Sequence, residues 1–111
     1  MDITNHNAAE LLHMLGHIYG QQGDTKRGLL LLLVAARLAP DNTSILRTLV
    51  HCFLLDGAPE QALAVIERLR STEDAGDPNL DLLMSRALWA CGRHVEARTS
   101  FRVFLNRTKQ P

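Results

Sequence analysis

Two histidines, His13 and His17, stand four residues apart with Glu10 a turn before them, and His51 follows further along the chain. At i and i+4 two imidazoles share one helix face, the spacing that lets both reach a single metal ion. The set is incomplete as a metal centre: no Glu follows His13, and the neighbouring stretches supply no matched carboxylate or thiolate. The favoured reading is histidines that line a groove and meet a ligand or titrate there, and no metal or other cofactor is expected. Cys52 and Cys91 each lie in an apolar stretch without a partner at metal-ligand spacing, so they read as reduced core thiols. No glycine-rich phosphate loop follows a strand, and no nucleophile, base and orienter assemble. The sequence does not read as an enzyme.

The elements that must hold these side chains are all helices. Asn7 with Glu10 three residues on forms a capping-box pattern, and Leu11, Leu12, Leu15, Ile18 and Tyr19 follow at helical spacing, which predicts a first helix over about 8–21. Gly23 ends it and Asp24 starts a second, which must stop before Pro40. Asp41-Asn42-Thr43 caps a third helix, apolar through Leu46, Leu49, Val50, Phe53 and Leu54, that stops at Asp56-Gly57. Pro59 opens a fourth through Ala62, Leu63, Ile66 and Leu69. After a polar break, Asp77-Pro78 caps a fifth through Leu80, Leu83, Met84, Leu88 and Trp89, and a sixth runs from about His94 to Arg107. A close crossing of the first two helices is predicted at Gly16 and Gly28, with Tyr19 filling the angle between them.

At 111 residues the chain is expected to be one domain that buries roughly two thirds of its unfolded surface. Its formal charge is zero, yet residues 1–40 hold 3 acids and 3 bases, 41–77 hold 7 and 3, and 78–111 hold 2 and 6. Arg93, Arg98, Arg102 and Arg107 read as the solvated face of the last helix rather than a phosphate track, so nucleic acid is not an expected partner. The polar, acidic start lacks the basic and apolar regions of a signal peptide, and the Gly28–Ala36 apolar run is about half a bilayer span, so no membrane insertion and a cytoplasmic location are expected.

The six helices fall into three hairpins with one period. Gly23, Gly57 and Gly92 are spaced 34 and 35 residues apart, as are Leu15, Leu49 and Met84; Tyr19, Phe53 and Leu88; and Gly28, Ala62 and Ala97. The extra residue falls in the polar break, where an insertion costs least. This register resembles the tetratricopeptide repeat, whose pattern has a 34-residue period. Leu15-Gly16, Tyr19 and Pro40 match it, with Leu12 for its Trp, Gly28 for its Ala and Leu32 for its Phe. The second repeat has Val50 for Gly and Asp74 for Pro, and the third has Ser85 for Gly. The resemblance implies an all-α solenoid of three antiparallel hairpins (about 9–42, 43–76 and 78–107) without a clear C-terminal capping helix.

In such a solenoid the first helix of each hairpin lines a concave groove. The register then assigns His13, His17, Arg47, His51, Leu54, Leu55, Leu82, Arg86 and Trp89 to it, and the Leu54, Leu55, Leu82 and Trp89 cluster is a binding signal. The alternative, that Leu82 and Trp89 are core, stays open at this point. A second apolar surface is expected at Leu30, Leu33 and Val34, because Leu29, Leu32 and Ala35 suffice for the core. Phe101, Val103, Phe104 and Leu105 need cover too. The carboxylate clamp of tetratricopeptide co-chaperones is excluded, since it needs Lys and Asn where His13 and His17 stand, and Thr48, Asn79 and Leu83 occupy its other positions.

Ser85-Arg86-Ala87, Gly92, Ala97-Arg98, Phe101 and Leu105, with Leu15-Gly16, Gly23 and Leu38-Ala39-Pro40, resemble the YscY family of small type III secretion chaperones of bacteria. The resemblance implies a protein that binds a small secreted export component as a helix, stabilises it and delivers it to the export gate. In that reading Arg47 and Arg86 orient the cargo's carboxylates. A needle-subunit chaperone of the same fold is a close alternative, and a homodimer built through the leucine face is a third.

Overall fold

A computed structural model of the chain describes residues 3–72 and 76–109. It holds α1 (Ile3–Gln21), α2 (Thr25–Leu38), α3 (Thr43–Leu55), α4 (Pro59–Arg70), α5 (Pro78–Ala90) and α6 (His94–Thr108), and no strand among the described residues. The fold is all-α. None of these helices is long and apolar enough to cross a membrane. The chain divides into two compact units, Met1–Ala58 with α1 to α3 and Pro59–Pro111 with α4 to α6.

Three copies of one turn carry the sequence period. Gly23, Gly57 and Gly92 take φ of +89°, +74° and +81°, the left-handed conformation in which a Cβ is strained. In each copy the residue after the glycine donates its N–H to a carbonyl five residues back: Asp24 to Tyr19, Ala58 to Phe53 and Arg93 to Leu88, all at 2.9 Å. The glycine N–H reaches the carbonyl three back, on Gly20, Leu54 and Trp89. These are Schellman turns, which satisfy carbonyls that a helix end leaves open. The aromatic and leucine column of the register therefore supplies the same backbone acceptor each time.

Within 1–58, α2 packs on α1, and α3 packs on both. Gly16 and Gly28 make the first crossing: a Cβ on Gly16 would lie 2.7 Å from Leu32 Cγ, and one on Gly28 would lie 2.9 Å from the Gly16 carbonyl oxygen. Leu32, Ile45, Leu46 and Val50 are fully buried, each contributing roughly 1.5–3 kcal/mol relative to exposure. Asp24 and Asn42 cap α2 and α3 by accepting the N–H groups of Arg27 and Ile45. At the end of α3, Asp56 accepts Thr25 Oγ1–H at 2.6 Å and Lys26 Nζ–H at 3.1 Å. Those two bonds, Thr25 first, hold its carboxyl below the usual value.

Within 59–111, α5 packs on α4 and on α6 around Ile66, Leu69, Leu80, Leu83 and Ala87. Asp81 is buried in this core, with Arg70 Nη2 at 3.1 Å from one carboxylate oxygen and Arg107 Nη1 at 3.3 Å from the other. One carboxylate thereby ties α4, α5 and α6 together.

Three expectations change. Helix α1 begins at Ile3 rather than near residue 8. Residues 3–8 contain no helix breaker, and His6 Nε2 meets Glu10 Oε1 at 3.1 Å across Asn7, an i,i+4 pair that needs a continuous helix. Asn7 is thus interior and not a cap. Cys52 is a free buried thiol, as expected, whereas Cys91 is a free thiol at the half-buried C-cap of α5. Arg93 and Arg107 are not merely solvated, since Arg93 forks onto Glu96 at 2.9 and 2.7 Å and Arg107 reaches Asp81. Asp74, the second repeat's replacement for Pro, lies outside the described residues.

Candidate partner-binding site

The residues assigned to a groove fall in both units, and each set has its own surroundings. In 59–111, α5 presents Leu82, Ser85 and Trp89 at i, i+3 and i+7, and α6 presents Ala97, Phe101 and Leu105 at i, i+4 and i+8. These two rows line a furrow of about 680 Å³. The three-residue turn between α5 and α6 makes the pair antiparallel, which places Trp89 near the turn end of the furrow. Trp89 is 54% exposed, so it is not core, and its ring stacks on His94 with centroids 4.0 Å apart. Leu82 is half-buried, while Leu105 and Phe101 are exposed, Phe101 stacking on half-buried Phe104 at 5.9 Å. Arg86 of α5, an expected groove residue, lines the furrow together with Arg98 and Arg102 of α6, and all three are exposed.

In 1–58, His17, His51 and Leu55 are exposed, and Arg47 and Leu54 are half-buried. His13 faces α3 instead of open solvent: its Nε2 lies 2.7 Å from Thr48 Oγ1. The one proton of Thr48 goes to the Ser44 carbonyl at 3.0 Å, so the histidine must donate and Thr48 accept. The Nε2–H tautomer follows, which removes that nitrogen from any site shared with His17. Burial first, and His17 second, push the His13 pKa below 6.5, against a weaker raising pull from Glu10. Among the described residues no group of three or more His, Cys, Asp or Glu is gathered for a metal.

Leu30, Leu33 and Val34 are exposed on α2, opposite buried Leu29, Leu32 and Ala35. A further stripe was missed. Leu11, Met14, Leu15 and Ile18 repeat at i, i+3, i+4 and i+7 on α1, yet all four are exposed, and the buried line of that helix is Ala9, Gly16 and Gly20. The apolar period therefore marks the outer face. The signal was in the sequence: Gly16 and Gly20, a turn apart, mark the face where another helix comes closest, and the leucines off that line must point elsewhere. Asp81 was missed as well, although an acid inside the run Leu80–Met84 needs a cation once that run is buried.

The sequence matches no protein-family model and no curated protein.

Proposed function

We propose that the three hairpins form a tetratricopeptide solenoid and that the chain is a non-catalytic chaperone of the type III secretion class. Its cargo is a small secreted export component held as an amphipathic helix. The observation that carries this reading is Trp89: the only tryptophan is more than half exposed, beside Leu82 and Phe101, on a helix whose opposite side is fully packed. Large aromatic side chains left in water along an apolar furrow are the usual anchors of a protein interface. The three turns at Gly23, Gly57 and Gly92, alike in φ and in hydrogen bonds, support the repeat assignment. Each unit has its own proposed contact residues, His17, Arg47, His51, Leu54 and Leu55 in 1–58 and Leu82, Arg86 and Trp89 in 59–111, with the arginines orienting acidic groups of the cargo.

The test is co-expression with the small proteins encoded beside this chain, followed by affinity co-purification. Trp89→Glu and Leu54→Glu are expected to abolish capture while far-UV circular dichroism stays helical. Unimpaired capture by both variants refutes the reading. A homodimer is the second reading, favoured by the exposed stripes of α1 and α2 in unit 1–58. Sedimentation of the isolated chain separates the two, because a monomer at all concentrations excludes the dimer.

A further inference from the structure

The furrow between α5 and α6 carries a chemical preference that its apolar floor alone does not require. Its rim holds Arg86 from α5 and Arg98 and Arg102 from α6, and no carboxylate lines it. Elsewhere in 76–109 the three acids are already engaged, Asp77 by the Asn79 N–H, Asp81 by Arg70 and Arg107, and Glu96 by Arg93. The rim guanidinium groups are exposed and make no ion pair among the described residues. Arg98 and Arg102 stand one helical turn apart, so their like charges repel mildly when nothing lies between them.

The floor is dry in its demands. Ser85, its one hydroxyl side chain, donates to the Leu82 carbonyl at 2.7 Å and needs no partner from outside. The row from Ala97 to Leu105 spans about 12 Å at 1.5 Å per residue, two turns of a helix laid alongside it. Trp89 is held in place by the His94 ring, so the anchor is ordered before anything binds.

We infer that this furrow docks an acidic amphipathic helix of a partner protein, its apolar stripe on Leu82, Trp89, Phe101 and Leu105 and its flanking carboxylates on Arg86, Arg98 and Arg102. The inference rests on the reading that the chain holds a partner helix, and it fixes the charge of that helix. Guanidinium forks match carboxylates two hydrogen bonds at a time, and a rim of one sign excludes segments of the same sign. The two aromatic rings of the floor are already stacked, Trp89 on His94 and Phe101 on Phe104, and Leu82, Ala97 and Leu105 offer no π face, which favours an apolar helix stripe over stacked bases as occupant.

The test uses the full chain and two synthetic helical peptides with the same leucine stripe, one flanked by Glu and the other by Lys. Trp89 fluorescence reports binding directly. The Glu peptide is expected to shift the emission to the blue and to bind about tenfold more tightly at low salt, with the gap narrowing as salt screens the rim. The double variant Arg98→Glu/Arg102→Glu, on exposed positions that hold no other group, is expected to reverse the order of the two peptides. Equal binding of both peptides overturns the charge preference while leaving helix docking intact. Binding of neither peptide overturns the proposal, and cargo capture by the intact chain would then show that the chaperone reading survives without this furrow. Tighter binding of a thymidine oligonucleotide than of the Glu peptide, or self-association abolished by the double variant, also overturns it.

Discussion

Replacing Gly28 by Ala tests the packing of unit 1–58 in a way that sequence reasoning alone gets backwards. The equivalent positions in the other two hairpins are Ala62 and Ala97, both buried, and alanine is the better helix former by about 1 kcal/mol. Pattern and propensity thus predict that Gly28→Ala stabilises. The structure predicts the reverse. A Cβ on Gly28 would sit 2.9 Å from the Gly16 carbonyl oxygen, 3.1 Å from Gly20 N and 3.2 Å from Cys52 Sγ. Two of those atoms are backbone and cannot rotate away, so the helices must separate, at a cost in the upper part of the 1–3 kcal/mol range for overpacking, about 2–3 kcal/mol. Less the gain in propensity, the net loss is about 1–2 kcal/mol, which lowers the melting temperature by about 5 °C or more. Gly20→Ala is the control on the same face, since its Cβ would meet only Cys52 Sγ at an ordinary 3.5 Å, and it should be neutral or stabilising by up to about 1 kcal/mol. Urea denaturation followed by far-UV circular dichroism measures both. If Gly28→Ala is as stable as the parent, or Gly20→Ala is the worse of the two, the close crossing is not what fixes these glycines.

Asp81→Ala removes the shared partner of Arg70 and Arg107. Breaking a buried pair costs about 3–5 kcal/mol, but these arginines are 33% and 44% exposed and water can reach them, so the expected loss by urea denaturation is about 2 kcal/mol. The histidine on Thr48 gives a pH signature. The His13 pKa is lowered in the fold, so the unfolded chain takes up its proton first as pH falls, and stability present above pH 6.5 is lost between 6.5 and the lower folded value. Proton NMR should place the His13 midpoint below 6.5, and His17→Gln should raise it by removing the like charge; an unchanged midpoint would leave burial as the whole cause.

What was legible in the chain was what is local. A Schellman turn is settled within six residues, so Gly23, Gly57 and Gly92 and the helix boundaries beside them could be placed from spacing alone. Asp24, Asn42 and Asp77 act as caps because each accepts an N–H two or three residues ahead. The furthest misplaced boundary, the start of α1, came from treating Asn7 as a cap when nothing before it breaks a helix. Partners distant in sequence were not legible. Asp81 finds Arg70 and Arg107 across 11 and 26 residues, and His13 finds Thr48 across 35. The outward direction of Leu11, Met14, Leu15 and Ile18 followed from which side of α1 meets α2, a fact that period cannot supply because a stripe has the same period on either face.

The same turn repeated three times carries different side chains around it, and that difference bears on what each unit asks of a partner. Around the turn at Gly23 the small residues Gly16, Gly20 and Gly28 bring α1 and α2 together, so little of the large apolar side-chain area on those helices is used between them. Leu11, Met14, Leu15 and Ile18, with Leu30, Leu33 and Val34, are left outside as a result. Around the turn at Gly92 the corresponding positions are Ser85, Trp89 and Ala97, and the exposed apolar residues Trp89 and Phe101 stand beside arginines. A cover for the first unit needs apolar area and little charge. A cover for the second must bring carboxylates. An acidic amphipathic helix meets the second demand and not the first, and the Glu-flanked peptide should therefore leave the leucines of α1 and α2 unprotected from solvent. Hydrogen exchange of the complex decides this: protection confined to α5 and α6 fits two separate demands, and equal protection of α1 and α2 by the same peptide refutes them.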